Sequence, residues 1–215
     1  MKRILYLITV LLFICSVVEG VEGNGQPTPV ATGTPSVYEV TQRNFYISSD
    51  GGSTWKLVKA EARTFDIAAV ASGEAAGNFF AGSFTPGTYN KIKFECCATF
   101  RMKGYVDYKG TTYYTSTSPT ASNGTASITT SAFDPSNPPS DYGIASITTP
   151  KEEGEYSEGE FMPAEEKSIN IVIKKGANSK INMDFDISES LALYDFGGGS
   201  YRLMPAPPSV TVSVE

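Results

Sequence analysis

"TYNKIKFECCATFRM", residues Thr88 to Met102, decides the fold class. Ile92, Phe94, Cys96, Ala98 and Phe100 fall on one face of an extended chain, and Lys91, Lys93, Glu95 and Thr99 on the other. A period of two marks a strand with one face in a core and the other in water. The pattern recurs on both sides. Upstream, Tyr38 to Ile47 and Trp55 to Val58 flank a turn, and Phe65, Ile67 and Ala69 alternate. Downstream, Ile169, Ile171 and Ile173 alternate with polar residues, as do Ile181, Met183, Phe185 and Ile187. A last strand, Val210 to Val214, follows a Pro-rich corner at Pro205 to Pro208. No stretch sustains a helical period. The reading is an all-β, antiparallel β-sandwich.

Composition agrees. The chain has 215 residues, enough for one domain with a real core. Its 20 Gly and 13 Pro supply turns, and its 12 Tyr and 12 Phe favour sheets. The formal net charge is −6, with no basic stripe to meet phosphates, which argues against a nucleic-acid partner. There is no histidine. That removes Ser-His-Asp triads, Cys-His pairs and His-ligated zinc in one step. No G-x-S-x-G or Gly-rich phosphate loop occurs, and no cofactor is expected.

The first 23 residues read as a secretory signal peptide. Lys2 and Arg3 precede an apolar run from Ile4 to Val18, and small residues follow at Gly20 and Gly23. Cys15 raises a lipid anchor as the one route to a membrane, although Leu12-Phe13-Ile14 departs from the small residues a lipobox places before its Cys. Residues 24–36, "NGQPTPVATGTPS", read as an extended Pro/Thr-rich linker. The β-sandwich domain is then expected over 37–215, with an irregular insertion at about 116–167. Within the insertion, "ASITT" occurs at Ala126 to Thr130 and at Ala145 to Thr149. Five residues are too few for a repeat architecture, so these read as two short strands of similar edge character.

"SSDGGSTW", Ser48 to Trp55, has the S-x-D-x-G-x-T-W pattern of an Asp-box hairpin. In such a box the Asp carboxylate accepts backbone N–H groups across the turn, the Gly supplies a positive φ, and the Trp packs at the base. Sialidase propellers carry several boxes, and this chain has one and no period of blade length. Asp50, Gly52, Thr54 and Trp55 are therefore fold residues.

"YVDYKGTTYY" reads as two Tyr-rich arms about Lys109-Gly110. Tyr105, Tyr108, Tyr113 and Tyr114 are the candidate ligand-binding residues, since flat rings stack on sugar faces. Cross-strand Tyr pairs that merely stabilise the sheet are the competing reading. Asp184 and Asp186 share a strand face roughly 7 Å apart, a spacing open to a carboxylate-dependent glycoside hydrolase. The favoured reading is a solvated outer face, cooperating with Arg202 or a lysine on the next strand. Glu152, Glu153, Glu155, Glu158 and Glu160 make a loop dense in oxygens, without EF-hand spacing for calcium. Asn123-Gly124-Thr125 matches an N-glycosylation sequon. Cys96 and Cys97 are the cysteines left once the signal is removed. Strand alternation puts Cys96 in the core and makes Cys97 the more reactive thiol, unless a loop covers its face.

Two stretches carry a family likeness. "TPGTYNKIKF" (Thr85 to Phe94) has the form G-x-Y-x-x-I-[RK], and "INMDFDISESLALYDFGGGSYRLMPAPPSVTV" (Ile181 to Val212) has the form D-F-D…S…G-x-G-x-Y-x-L-x-P. In order and spacing they resemble the exported envelope proteins grouped as domain-of-unknown-function family 4382. "WKLV" and "FDIAAV" fit that family's opening. The resemblance implies a prealbumin-like or immunoglobulin-like β-sandwich exported to the cell surface, and it supplies no catalytic residues. The expected function is a non-catalytic binding or adhesion module for a glycan or a cell-surface protein, secreted or held in the cell envelope. The alternatives are a purely structural envelope component and, further off, the carboxylate-pair hydrolase.

Overall fold

The computed structural model describes residues 28–69, 80–81, 84–117, 128–132, 138–148, 150–151, 154–157, 159–175 and 180–214. The segment read as a signal peptide (with Cys15), the sequon and Glu152, Glu153 and Glu158 lie outside them. Among the described residues there is no helix. The strands in chain order are β1 (Pro29–Gly33), β2 (Val37–Ser48), β3 (Lys56–Lys59), β4 (Arg63–Asp66), β5 (Phe80–Ala81) and β6 (Gly87–Cys96). Next come β7 (Thr99–Lys103), β8 (Tyr105–Tyr108), β9 (Thr111–Thr115), β10 (Ile128–Ala132), β11 (Ala145–Thr148) and β12 (Pro150–Lys151). The last are β13 (Gly154–Glu155), β14 (Glu165–Ile173), β15 (Lys180–Asp186), β16 (Leu191–Asp195), β17 (Tyr201–Pro205) and β18 (Ser209–Val214).

β2 organises the largest sheet. One edge carries β6 and β7 end to end, backed by β14 and β11, and the other edge carries β3 and β4. Three smaller antiparallel sheets, β1-β16-β17, β8-β9-β10 and β5-β15-β18, share one core with it. Tyr38, Ile92, Phe100 and Ile147 of the large sheet are buried in the same cluster as Met183, Leu191, Leu193 and Leu203 of the smaller ones. The molecule is thus an antiparallel β-sandwich, as the alternation predicts. Ile169, Ile171 and Ile173 point into the core, while Val172 between them is 57% exposed. The two "ASITT" copies overlap β10 and β11, each at a sheet edge.

Two bulges set which residues face inward. On β2 the alternating buried positions are Tyr38, Val40 and Gln42, then Phe45 and Ile47, with Ser48 buried at the strand's end. The parity changes at Arg43–Asn44, where the pairing with β6 slips and Asn44 takes φ 50°. Asn tolerates this left-handed conformation better than other side chains. Its amide and the Arg43 guanidinium both donate to Glu95, at 3.0 and 2.7 Å. Burial pushes the Glu95 carboxyl up, and these bonds outweigh it, holding it below its ordinary value.

The second bulge splits Thr88–Met102 into β6 and β7. Gln42 pairs with Cys96, but Glu39, three residues back, pairs with Arg101, five residues on. The two extra residues preserve parity, so Cys96, Ala98, Phe100 and Met102 all remain buried. The bulged backbone is covered by residues 160–162. Ala98 N–H donates to the Glu160 carbonyl and Met162 N–H to the Cys96 carbonyl, both at 2.8 Å. Cys97 is consequently buried as well, at 6% exposure, and both thiols are free.

The linker expected over 24–36 needs correction. Its residues 29–33 form β1, which pairs with β16 from Pro29 opposite Tyr194 to Gly33 opposite Leu191. Val30 and Ala31 pack on the core. Gly33 lies so close to β8 that an added Cβ would overlap the Tyr105 carbonyl oxygen. Small residues let this segment lie flat against its neighbours, which a composition argument for disorder does not weigh.

Candidate functional site

Two hairpins end together at one end of the sandwich. The first joins β8 to β9 through Lys109 (φ 50°) and Gly110 (φ 78°), a two-residue turn of the hairpin-compatible hand. The second joins β16 to β17 through Phe196, three glycines and Ser200. Gly197, Gly198 and Gly199 all have positive φ, at 87°, 62° and 80°, which only glycine adopts freely. This loop is closed by its own backbone, with Phe196 N–H donating to the Ser200 carbonyl (2.8 Å) and Ser200 N–H to the Gly197 carbonyl (3.0 Å), and the Asp195 side chain accepts the Gly197 N–H at Oδ1 (2.8 Å).

Aromatic rings fill the space between the hairpins. Tyr201 lies 5.7 Å from Tyr108 and 5.1 Å from Tyr113, centroid to centroid. Phe196 is 43% exposed at the base of the loop, with the Arg202 guanidinium 4.8 Å from its ring centre. The Lys109 ammonium sits 4.9 Å over Tyr108. The Tyr108 hydroxyl, then Tyr201 and Asp195, push the Lys109 pKa up, so it stays charged. Burial first, then Tyr201 and Asp195, pushes Tyr113 up, so its phenol stays protonated.

The four tyrosines of the sequence reading do not form one platform. Tyr105 is directly opposite Tyr114, and Val106 opposite Tyr113. This register puts Tyr105 and Tyr114 on one face and Tyr108 and Tyr113 on the other. Tyr114 is 1% exposed and Tyr113 8%, so neither offers a ring to solvent. Tyr105 is exposed and rests on Tyr114, which packs on Tyr142 at 5.0 Å. Tyr108 is half-buried at the hairpin end. The structure therefore keeps Tyr108 at the shared tip and adds Phe196, Tyr201 and Arg202, which the sequence reading did not single out. An aromatic residue set before a run of three glycines is the signal that was there to find.

The Asp-box closes as expected. Asp50 Oδ1 accepts the Thr54 N–H (2.9 Å) and the Ser48 hydroxyl (2.8 Å), and Oδ2 accepts the Thr54 hydroxyl (2.6 Å). These bonds, Thr54's first, hold the Asp50 pKa down at about 2. Gly51 and Gly52 supply the positive φ values. Trp55 is half-buried, with the Lys93 ammonium 4.2 Å over its ring. Every polar atom of the box named here serves the turn.

A groove of about 420 Å³ is lined in part by Thr32, Asp186, Glu189 and Tyr194. Asp186 Oδ1 accepts the Ser188 N–H at 3.0 Å, and that bond lowers its pKa. Each carboxylate with a resolved shift, Asp50, Glu61, Glu95 and Asp186, is shifted downward. The side chain of Asp184, the other carboxylate of that candidate pair, lies outside the described residues. Among the described residues no cluster of three metal-ligating side chains occurs. Glu160 spends Oε2 on the Ser157 N–H.

The chain matches no family model, no curated protein and no solved structure. The likeness to the envelope family rests on its motifs alone.

Proposed function

We propose that this protein is an exported, non-catalytic binding module of the cell envelope that grips a glycan or a protein surface with its paired hairpin end. The observation that carries the reading is Phe196, presented 43% exposed on a loop ordered by its own backbone bonds, with the Arg202 guanidinium against its ring. A rigid scaffold that places aromatic side chains on loop ends is how sandwich domains bind. Large rings on ordered loops bring contact area at small entropic cost. The motif likeness to exported envelope proteins and the apolar N-terminal run support the location.

A glycan array probed with the mature domain tests this. Binding to a subset of glycans is expected, with Phe196→Ala weakening it about tenfold, the worth of a modest hot spot, at unchanged Tm. A folded protein that binds nothing on the array, and no envelope protein in crosslinking, would leave the purely structural role.

A further inference from the structure

The groove of about 420 Å³ opens on the face that carries Phe196. Tyr194 is directly opposite Arg202, whose guanidinium lies against the Phe196 ring, so the three side chains share the outer face of the β1-β16-β17 sheet. Two residues before Tyr194, Ala192 pairs with Thr32, and both line the groove. From Ala192 to Phe196 the chain advances about 13 Å, a span for an oligomer rather than a single small ring.

Glu189 sets the chemistry of this groove. Among the described side chains it is the one carboxylate that makes neither an ion pair nor a hydrogen bond. The others are held in ion pairs, as Glu39 and Glu166 are, or accept hydrogen bonds, as Asp50 and Asp107 do. Glu189 also sits at φ 142°, a conformation that favours glycine, so the turn holds a side chain there against its backbone preference. Ser190, beside it, is 2% exposed and lines the groove, and its hydroxyl finds no hydrogen-bond partner among the described residues. Asp186 lines the same groove with one oxygen spent on the Ser188 N–H. No described lysine or arginine lines it. A carboxylate and a buried hydroxyl that both lack partners call for a donor from outside the chain.

Resting on the binding role proposed above, we infer that the ligand is a glycan bearing free amino groups. An ammonium lies between Glu189 and Asp186, a sugar hydroxyl bonds Ser190, and the glycan runs on past Tyr194 to Phe196. Acidic glycans are repelled by the two carboxylates, and N-acetylation removes the charge that these attract.

The probes are a glucosamine hexamer, its N-acetylated counterpart and a lysine hexamer, each titrated into the mature domain by calorimetry. The amino hexamer should bind about tenfold tighter than the acetylated one in 50 mM salt. The gap should shrink several-fold in 0.5 M salt, where charges are screened over a few Å. Glu189→Gln should cut the preference for the amino form about threefold or more at unchanged Tm. Glu189→Gly, which relieves the φ, should lose the same preference without lowering Tm. Ser190→Ala and Phe196→Ala should weaken both glycan hexamers alike. Equal binding of the two hexamers would overturn the amino class and leave the binding role standing. A lysine hexamer bound as tightly as the amino glycan, with Phe196→Ala without effect, would overturn the glycan in favour of a basic peptide. Failure of all three probes beside a positive glycan array would overturn this inference alone, and failure on the array as well would overturn both.

Discussion

Asp50 shows how one carboxylate can stabilise a turn and make it sensitive to acid. Its three bonds to Ser48 and Thr54 are stronger to the ionised group than to the protonated one, which is why its pKa falls from 3.8 to about 2. A depressed folded-state pKa adds stability that is present above the unfolded value and lost as pH falls through the folded one. Wild-type Tm should therefore decline between about pH 4 and pH 2 more steeply than that of Asp50→Asn, whose Tm should already be lower at pH 7. Parallel acid limbs in the two proteins would disprove the assignment. Asn44 offers a second test at this scale. Its left-handed φ suits Asn or Gly, so Asn44→Val should cost about 1–2 kcal/mol, from the steric penalty alone. Asn44→Gly should cost less, and urea unfolding of the pair would tell them apart.

At the scale of elements, a strand's residues are legible in proportion to how strictly it alternates. β14 needs no knowledge of its partners, because Ile169, Ile171 and Ile173 commit one face to the core. The β6–β7 bulge is hidden because two inserted residues leave the alternation intact. The pattern cannot distinguish one long strand from two. Alternation likewise cannot tell whether the outer face at Cys97 is covered: the cover that buries it comes from residues 160–162, a contact across some sixty residues of chain. Arg43 stacks on the Phe161 ring at 3.8 Å and helps hold that cover down. Both thiols should resist alkylation in the native protein. Phe161→Ala should raise the rate at Cys97 several-fold with little change at Cys96, read by peptide mass mapping. A fast Cys97 in the wild type would mean the cover opens readily.

For the whole molecule, the sandwich was legible and the paired hairpin end was not. Alternation identifies core faces, but the tip depends on which hairpins the topology brings together. Tyr108 and Tyr201 are separated by most of the domain in sequence and by 5.7 Å in space. The strand at Pro29–Gly33 was illegible because Pro, Thr and Gly are read as linker wherever tertiary packing is unknown. Its role is open to a direct test. Removing residues up to 33 should lower Tm by several degrees, since it uncovers the edge of β16 and the core beneath Val30 and Ala31. Removing residues up to 28 should leave Tm unchanged. Equal Tm in the two truncated proteins would return the segment to a tether.

The register of β1 on β16 also fixes a direction. Pro29 lies opposite Tyr194, two residues before Phe196, so the chain enters the domain at the same end as the paired hairpins. Were the protein moored through its upstream residues, that end would lie on the side of the mooring, and its ligand would belong to the cell's own coat before anyone else's. A pull between mooring and ligand would meet the first pair of the β1–β16 ladder alone. The ladder would open in sequence, as a zipper does, and the domain would let go gently under tension.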